Sequence, residues 1–157
     1  ESAYFDMIYK KTAVLIEASA KSAALLEKKD SDAYALYGKN LGMAFQIIDD
    51  VLDITQDSQT LGKPALHDFQ EGKTTLPYIY LYQELSYEDR VILKSFYKKT
   101  LNDDEAEWIK SKMSEYGVVT KSIKLAQKLG YEALKSIQSD KNQALEEVIK
   151  NMIERSF

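Results

Sequence analysis

The chain contains no cysteine, which excludes a disulfide framework and thiolate metal centres and fits a reducing compartment. Histidine is nearly absent too: the single one, His67, has Pro64 three residues before it, where a di-metal carboxylate bundle needs Glu in a Glu-x-x-His pair. Ser-His-Asp and Cys-His catalysis therefore lack a credible constellation. No apolar run approaches the ~18–20 residues that span a bilayer, and the N-terminus lacks the basic, apolar and small-residue order of a signal peptide. These absences predict a soluble, cytoplasmic protein that is not transmembrane. A net charge of −4 leaves no basic field to hold nucleic acid. Only 2 prolines and 6 glycines punctuate the chain, and no G-x-x-x-x-G-K-[ST] phosphate loop is among them.

What is present has helical spacing. A hydrophobic share of 45% in 157 residues is enough for a single packed core. The periodicity predicts an all-α antiparallel helix bundle. A first helix is expected from about Ser2 to Lys28, with an Ala-rich face for close packing. Asp30-Ser31-Asp32 caps a second, which runs to about Ile54. A long charged loop, Thr55 to Thr74, follows; loops longer than about 12–15 residues are usually functional or disordered. Leu76-Pro77 opens a third helix and Ser86 caps a fourth, running to about Thr100. Asn102 starts a fifth, ended by Gly117. A sixth is expected over about Val119–Gln138, and a seventh from an Asp140 cap to about Arg155. Glu1-Ser2-Ala3 runs into the first helix without an initiator Met, an expectation that this is a fragment.

The most informative stretch is Gly42-Met43-Ala44-Phe45-Gln46-Ile47-Ile48-Asp49-Asp50-Val51-Leu52-Asp53. At about 100° per residue, Gly42, Gln46, Asp49 and Asp53 form a polar stripe, and Leu41, Phe45, Ile48 and Leu52 an apolar one. The carboxylates sit near the C-terminal end of the helix, where the macrodipole disfavours each anion by roughly 0.3–1 kcal/mol. Stability alone would not choose that arrangement. Magnesium takes one or two carboxylates plus phosphate oxygens and waters, which fits Asp49 and Asp53; Asp50, rotated about 100° away, ranks below them. Gln46 offers a neutral amide from the same stripe. Lys11, Lys63 and Lys73 are mobile point charges suited to a diphosphate, the last two following Gly62 and Gly72, which permit close backbone approach. Tyr78, Tyr80, Tyr82, Tyr87 and Tyr97 concentrate rings in the middle third and read as packing.

These residues resemble the trans-isoprenyl diphosphate synthases, or polyprenyl synthetases. Tyr9-Lys10-Lys11-Thr12 is similar to that family's Lys-Thr helix, and Phe45-Gln46-Ile47-Ile48-Asp49-Asp50-Val51-Leu52-Asp53 to its second aspartate-rich motif. Leu61-Gly62-Lys63-Pro64 through Asp68, and Glu71-Gly72-Lys73-Thr74-Thr75-Leu76-Pro77, resemble the following loop. Leu66 departs, standing where many relatives carry Gly. No second D-D-x-x-D occurs, so the resemblance covers the C-terminal half only: residues 1–157 would be the C-terminal part of a single all-α prenyltransferase domain with a partial isoprenoid-synthase fold.

The resemblance implies head-to-tail condensation of isopentenyl diphosphate with an allylic diphosphate to make a polyprenyl diphosphate. Asp49 and Asp53, assisted by Asp50, would hold Mg2+ on the allylic diphosphate. Lys11 and Lys63 would bind that diphosphate and Lys73 support the acidic site. Thr12 and Gln46 would stabilise the developing cation or orient the pyrophosphate. A homodimer is implied, with a product apolar enough to draw it to a membrane. The 157-residue chain alone is expected to be inactive, tested by incorporation of labelled isopentenyl diphosphate. Two other readings are a terpene cyclase, against which the combined Phe-Gln, Gly-Lys and Glu-Gly-Lys set speaks, and a non-catalytic partner subunit, which would be expected to lose its ionic residues.

Overall fold

The computed structural model describes residues 1–56, 66–140 and 142–154. Among them every regular element is helical: α1 (Ser2–Ile8), a π-helical turn (Tyr9–Ala13), α2 (Val14–Leu26), α3 (Ser31–Thr55), α4 (His67–Gln70), α5 (Leu76–Glu84), α6 (Tyr87–Phe96), α7 (Asp103–Glu115), α8 (Val118–Ser136), a 3-10 turn (Gln138–Asp140) and α9 (Gln143–Glu154). The all-α expectation holds. No helix among the described residues is long and apolar enough to cross a membrane.

Local chemistry explains several boundaries. Ser86 Oγ accepts the Asp89 N–H at 3.1 Å to start α6. Asn102 and Glu105 exchange side-chain to backbone bonds of 2.9 Å in a full capping box at α7. Gly117, at φ +61°, ends α7 in the left-handed conformation that glycine adopts without steric cost. The Arg90 guanidinium caps the other end of α5, donating to the carbonyls of Tyr82 and Gln83 at 2.8 Å each. Other expectations need correction. The first helix runs without a break from Ser2 to Leu26 but carries a π-helical turn at Tyr9–Ala13. The Thr55–Thr74 stretch contains α4. The fourth helix stops at Phe96. Asp140 does not cap α9: Asn142 Oδ1 accepts the Leu145 N–H at 3.3 Å, and Asp140 is engaged elsewhere. Arg155 lies outside the described residues.

The fold divides into two compact units, one built from Glu1 and Asp49–Ser122, the other from Ser2–Ile48 and the residues from Ile123 onward. The second unit is centred on Ala24, Tyr34, Tyr37, Ala133, Ile137 and Ile149, with Leu41, Leu134, Leu145 and Ile153 packed against them. Polar ties lock its two segments together. Lys29 Nζ reaches Asp140 Oδ2 at 2.9 Å, the Tyr34 hydroxyl donates to the same oxygen, and Tyr37 donates to the Leu145 carbonyl at 3.0 Å. Tyr37 is pushed up to about 12 by burial, so it stays a donor at any ordinary pH. In the other unit α5 starts with Pro77 in its first turn. Leu66, Leu76, Leu81, Ile109, Met113 and Val118 are buried there.

The expected stripes on α3 are only partly realised. Phe45 is 39% exposed, while Ala44, Ile47, Ile48, Val51 and Ile54 are buried. Gly42, read as part of the polar stripe, is a packing position: a Cβ there would lie 2.5 Å from Ala13 Cα.

Candidate functional site

In the unit that holds α1 and α2, the Lys-Thr segment is the π-helical turn itself. The Val14 N–H bonds the Tyr9 carbonyl, an i to i+5 bond that inserts one residue into the helix. Such bulges re-aim side chains and recur at functional sites. Lys11 is exposed on this turn, and Thr12 Oγ1 donates to Gln46 Oε1 at 2.8 Å. Gln46 is 3% exposed, so its amide is fixed rather than solvated, and its oxygen is occupied by Thr12. The structure thus brings together two residues that the sequence singled out, across the close approach that Gly42 permits. Lys10 takes no part, pairing with Asp6 at 2.7 Å on the surface.

The acidic residues occupy the other unit. Asp49 is exposed, whereas Asp50 and Asp53 are 4% and 2% exposed. Asp50, ranked lowest from spacing, is thus buried alongside Asp53. Asp53 anchors the returning chain twice: its carbonyl accepts the Leu66 N–H at 3.0 Å and its Oδ2 accepts the Asp68 N–H at 3.0 Å. Leu66 has a left-handed backbone, φ 60°, with its side chain fully buried. That conformation gives a physical reason for glycine to be favoured at this position; leucine pays about 1–2 kcal/mol for it and recovers burial instead.

Lys73 Nζ lies 3.0 Å from Asp68 Oδ1 and 2.6 Å from Glu71 Oε2. These hydrogen bonds, Glu71 first, raise its pKa above the ordinary lysine value, so it remains a cation. Lys73, Asp68 and Asp53 therefore form one connected polar chain. Sequence reasoning missed Asp68 and Glu71; the available signal was their spacing of five and two residues before Lys73. His67 sits 3.2 Å from Glu71, a surface contact. Lys63 lies outside the described residues. Among the described residues no group of three or more His, Cys, Asp and Glu side chains is arranged to hold a metal ion by itself.

The Glu-Gly-Lys turn is backed by aromatic rings. Phe69 stacks on Tyr78 with centroids 4.5 Å apart and meets Tyr97 edge-on at 5.3 Å. The Tyr97 hydroxyl donates to the Gly72 carbonyl. Gly72 has φ +85°, a backbone conformation that favours glycine, and a Cβ there would lie 3.2 Å from the Lys98 side chain.

An all-α protein with a threonine–glutamine pair on a π-turn and a lysine-tethered acidic helix end belongs to a narrow class. The chain is a member of the polyprenyl synthetase family, whose profile matches residues 1–113. It is 33% identical to solanesyl diphosphate synthase 2 of Arabidopsis thaliana, over 97% of this chain and 37% of that protein. The crystal structure of octaprenyl pyrophosphate synthase from Helicobacter pylori matches with a TM-score of 0.88 and 47% identity, over 96% of this chain and 52% of that one. A polyprenyl synthase from Caulobacter crescentus, solved with calcium and isoprenyl diphosphate, matches with a TM-score of 0.89 and 28% identity, over 100% of this chain and 50% of that one. The chain thus spans between about a third and a half of these relatives' lengths.

Proposed function

We propose that this chain supplies the second aspartate-rich half of a trans-prenyltransferase that condenses isopentenyl diphosphate with an allylic diphosphate. The observation that carries the reading is the polar chain running from Lys73 through Asp68 to Asp53 at the end of α3. It holds a carboxylate and an ammonium in fixed relation, the pairing that a metal-bound diphosphate requires. The donor chemistry fits Mg2+, which takes a few hard carboxylate oxygens and completes its octahedron with water and phosphate oxygens. When bound, the ion would supply charge neutralisation for the departing diphosphate.

In this reading Asp49, exposed, and Asp53, anchored, hold the ion, with the buried Asp50 assisting. Lys73 fixes Asp68, and through its backbone N–H the Asp53 carboxylate, so the anion's position costs little reorganisation as charge develops. Lys11 and Lys63 bind the diphosphate of the allylic substrate. Thr12 orients Gln46, and the pair stabilises positive charge developing on the allyl group or orients the pyrophosphate. The functional protein is a homodimer in the cytoplasm, and its apolar product draws it toward membranes.

The test is Asp49→Ala in the whole natural protein. Turnover of an allylic diphosphate with isopentenyl diphosphate should fall by about 10²-fold or more, the loss typical of removing one preorganised electrostatic group. Unchanged kinetics would remove Asp49 from this role. Product analysis with an allylic diphosphate alone separates this activity from cyclisation.

A further inference from the structure

Helix α8 buries one side and leaves the other to solvent. Ala126, Ala133 and Ile137 are buried, while Lys124, Lys128, Tyr131 and Lys135 are all exposed. At about 100° per residue these four fall within roughly 60° of arc, opposite the buried side, and run about 16 Å along the helix. Tyr131 is 69% exposed, which leaves most of its ring in water. Glu132 is the only acidic residue on α8, and at 3.9 Å it barely reaches Lys128. Like charges at i and i+4, as in Lys124 and Lys128, oppose helix formation, and the chain as a whole carries a net charge of −4. Neither helix stability nor overall charge accounts for the stripe.

We infer that this face of α8 docks the protein on an anionic lipid bilayer, with Lys124, Lys128 and Lys135 on the headgroup phosphates and the Tyr131 ring between headgroups. Each lysine near such a surface is drawn by its negative potential. Tyr131 decides between a bilayer and other polyanions. Its ring suits the headgroup layer, where the apolar body leaves water and the hydroxyl stays hydrated. The opposite side of α8 is committed to the core, where Ala133 and Ile137 join Ala24, Tyr34 and Tyr37, so the helix lies on the membrane rather than entering it. Docking of this kind is peripheral and weakens with salt. The inference goes beyond the diphosphate reading and does not depend on it; the polyprenyl diphosphate proposed above would be released beside the bilayer that accepts its chain.

The experiment is sedimentation of the whole natural protein, without substrate, with phosphatidylcholine vesicles that either contain or lack phosphatidylglycerol. The wild type should bind only the vesicles with phosphatidylglycerol, and binding should fall as salt is raised from about 0.05 to 0.5 M. Lys124→Gln, Lys128→Gln and Lys135→Gln combined should weaken binding about a hundredfold. The same three positions changed to Arg should bind like the wild type, and Tyr131→Ser should weaken binding without altering its salt dependence. Absence of wild-type binding, equal binding to both kinds of vesicle, or wild-type binding by the triple Gln variant or by Tyr131→Ser would overturn the inference. Retention on heparin with no binding to vesicles would make the face a site for another polyanion and overturn it equally. Because no substrate is present, a lack of prenyltransferase activity in the same protein would defeat the diphosphate reading and leave this one standing.

Discussion

Gly42→Ala adds a single methyl group where helices approach too closely to hold it. Its Cβ would lie 2.5 Å from Ala13 Cα and 2.9 Å from Ala13 Cβ, about 1 Å inside normal carbon contact. The obstacle is backbone, so no side-chain rotation relieves it, and α3 must move off the π-turn. Overpacking of this kind costs about 1–3 kcal/mol, and the better helix propensity of alanine returns about 1 kcal/mol. Because the clash is with a main-chain atom the upper part of the range applies, leaving a net loss of about 1–2 kcal/mol. For a domain of this size that is a drop of roughly 2–8 °C in the thermal midpoint. Thr12 adjoins Ala13, so the same displacement lengthens its 2.8 Å bond to Gln46 and should lower turnover beyond the stability loss. The comparison is Gly130→Ala, whose Cβ would meet only the side-chain ends of Ile149 at 3.0 Å and Ile153 at 3.1 Å. Those contacts are with side chains rather than backbone, so this variant should lose less stability than Gly42→Ala. Calorimetry on both variants decides: a Gly42→Ala protein as stable and as active as the wild type would refute the claim that glycine is there for helix contact.

Asn102→Ala removes the side-chain leg of the capping box on α7, leaving the backbone N–H of residue 102 to donate to Glu105, and should cost about 1 kcal/mol, or roughly 2–4 °C in thermal midpoint; an unshifted midpoint would show that the Asn102 cap is not stabilising. Asp140 is held below the usual carboxylate range, first by the hydrogen bond from Tyr34 and then by Lys29. The unfolded chain therefore takes up the proton at higher pH than the folded one. Its contribution is full above about pH 4, the ordinary aspartate value, and is lost as pH falls through the lower folded-state value. Asp140→Asn should lower the midpoint at neutral pH and flatten its decline below about pH 4, which parallel acid-unfolding curves for the two proteins would contradict. The turnover loss in Asp49→Ala completes the set.

Helix placement was largely legible because caps and periodicity act locally. Ser86, Asn102 and Gly117 mark boundaries by hydrogen bonds or backbone angles that neighbours alone determine. The π-turn was not legible, since one inserted residue shifts a period-3.6 pattern by less than the scatter of real helices, and Tyr9–Ala13 contains no glycine or proline to announce it. Gly42 was assigned to the polar stripe because spacing cannot tell a glycine facing a ligand from one facing a backbone. Asp140 looked like a cap by its place before a helix, but Tyr34 and Lys29, over a hundred residues away in sequence, claim it instead. The site residues Thr12 and Gln46 were legible individually, their hydrogen bond was not, and Asp68 became visible only through its contacts with Asp53 and Lys73.

The unit that carries Thr12 and Gln46 is assembled from both ends of the chain, with Ala24, Tyr34 and Tyr37 packing against Ala133, Ile137 and Ile149. A ribosome making this protein releases the first set long before the second exists. Until residues beyond Ile123 emerge, that early surface stays wet and the lysine at position 29 has no aspartate to greet it. Synthesis order therefore obliges the intervening segment, Asp49 to Ser122, to be present before its flanks can close. Loss of even the last helix would undo a hydrophobic centre whose first members lie more than a hundred residues upstream.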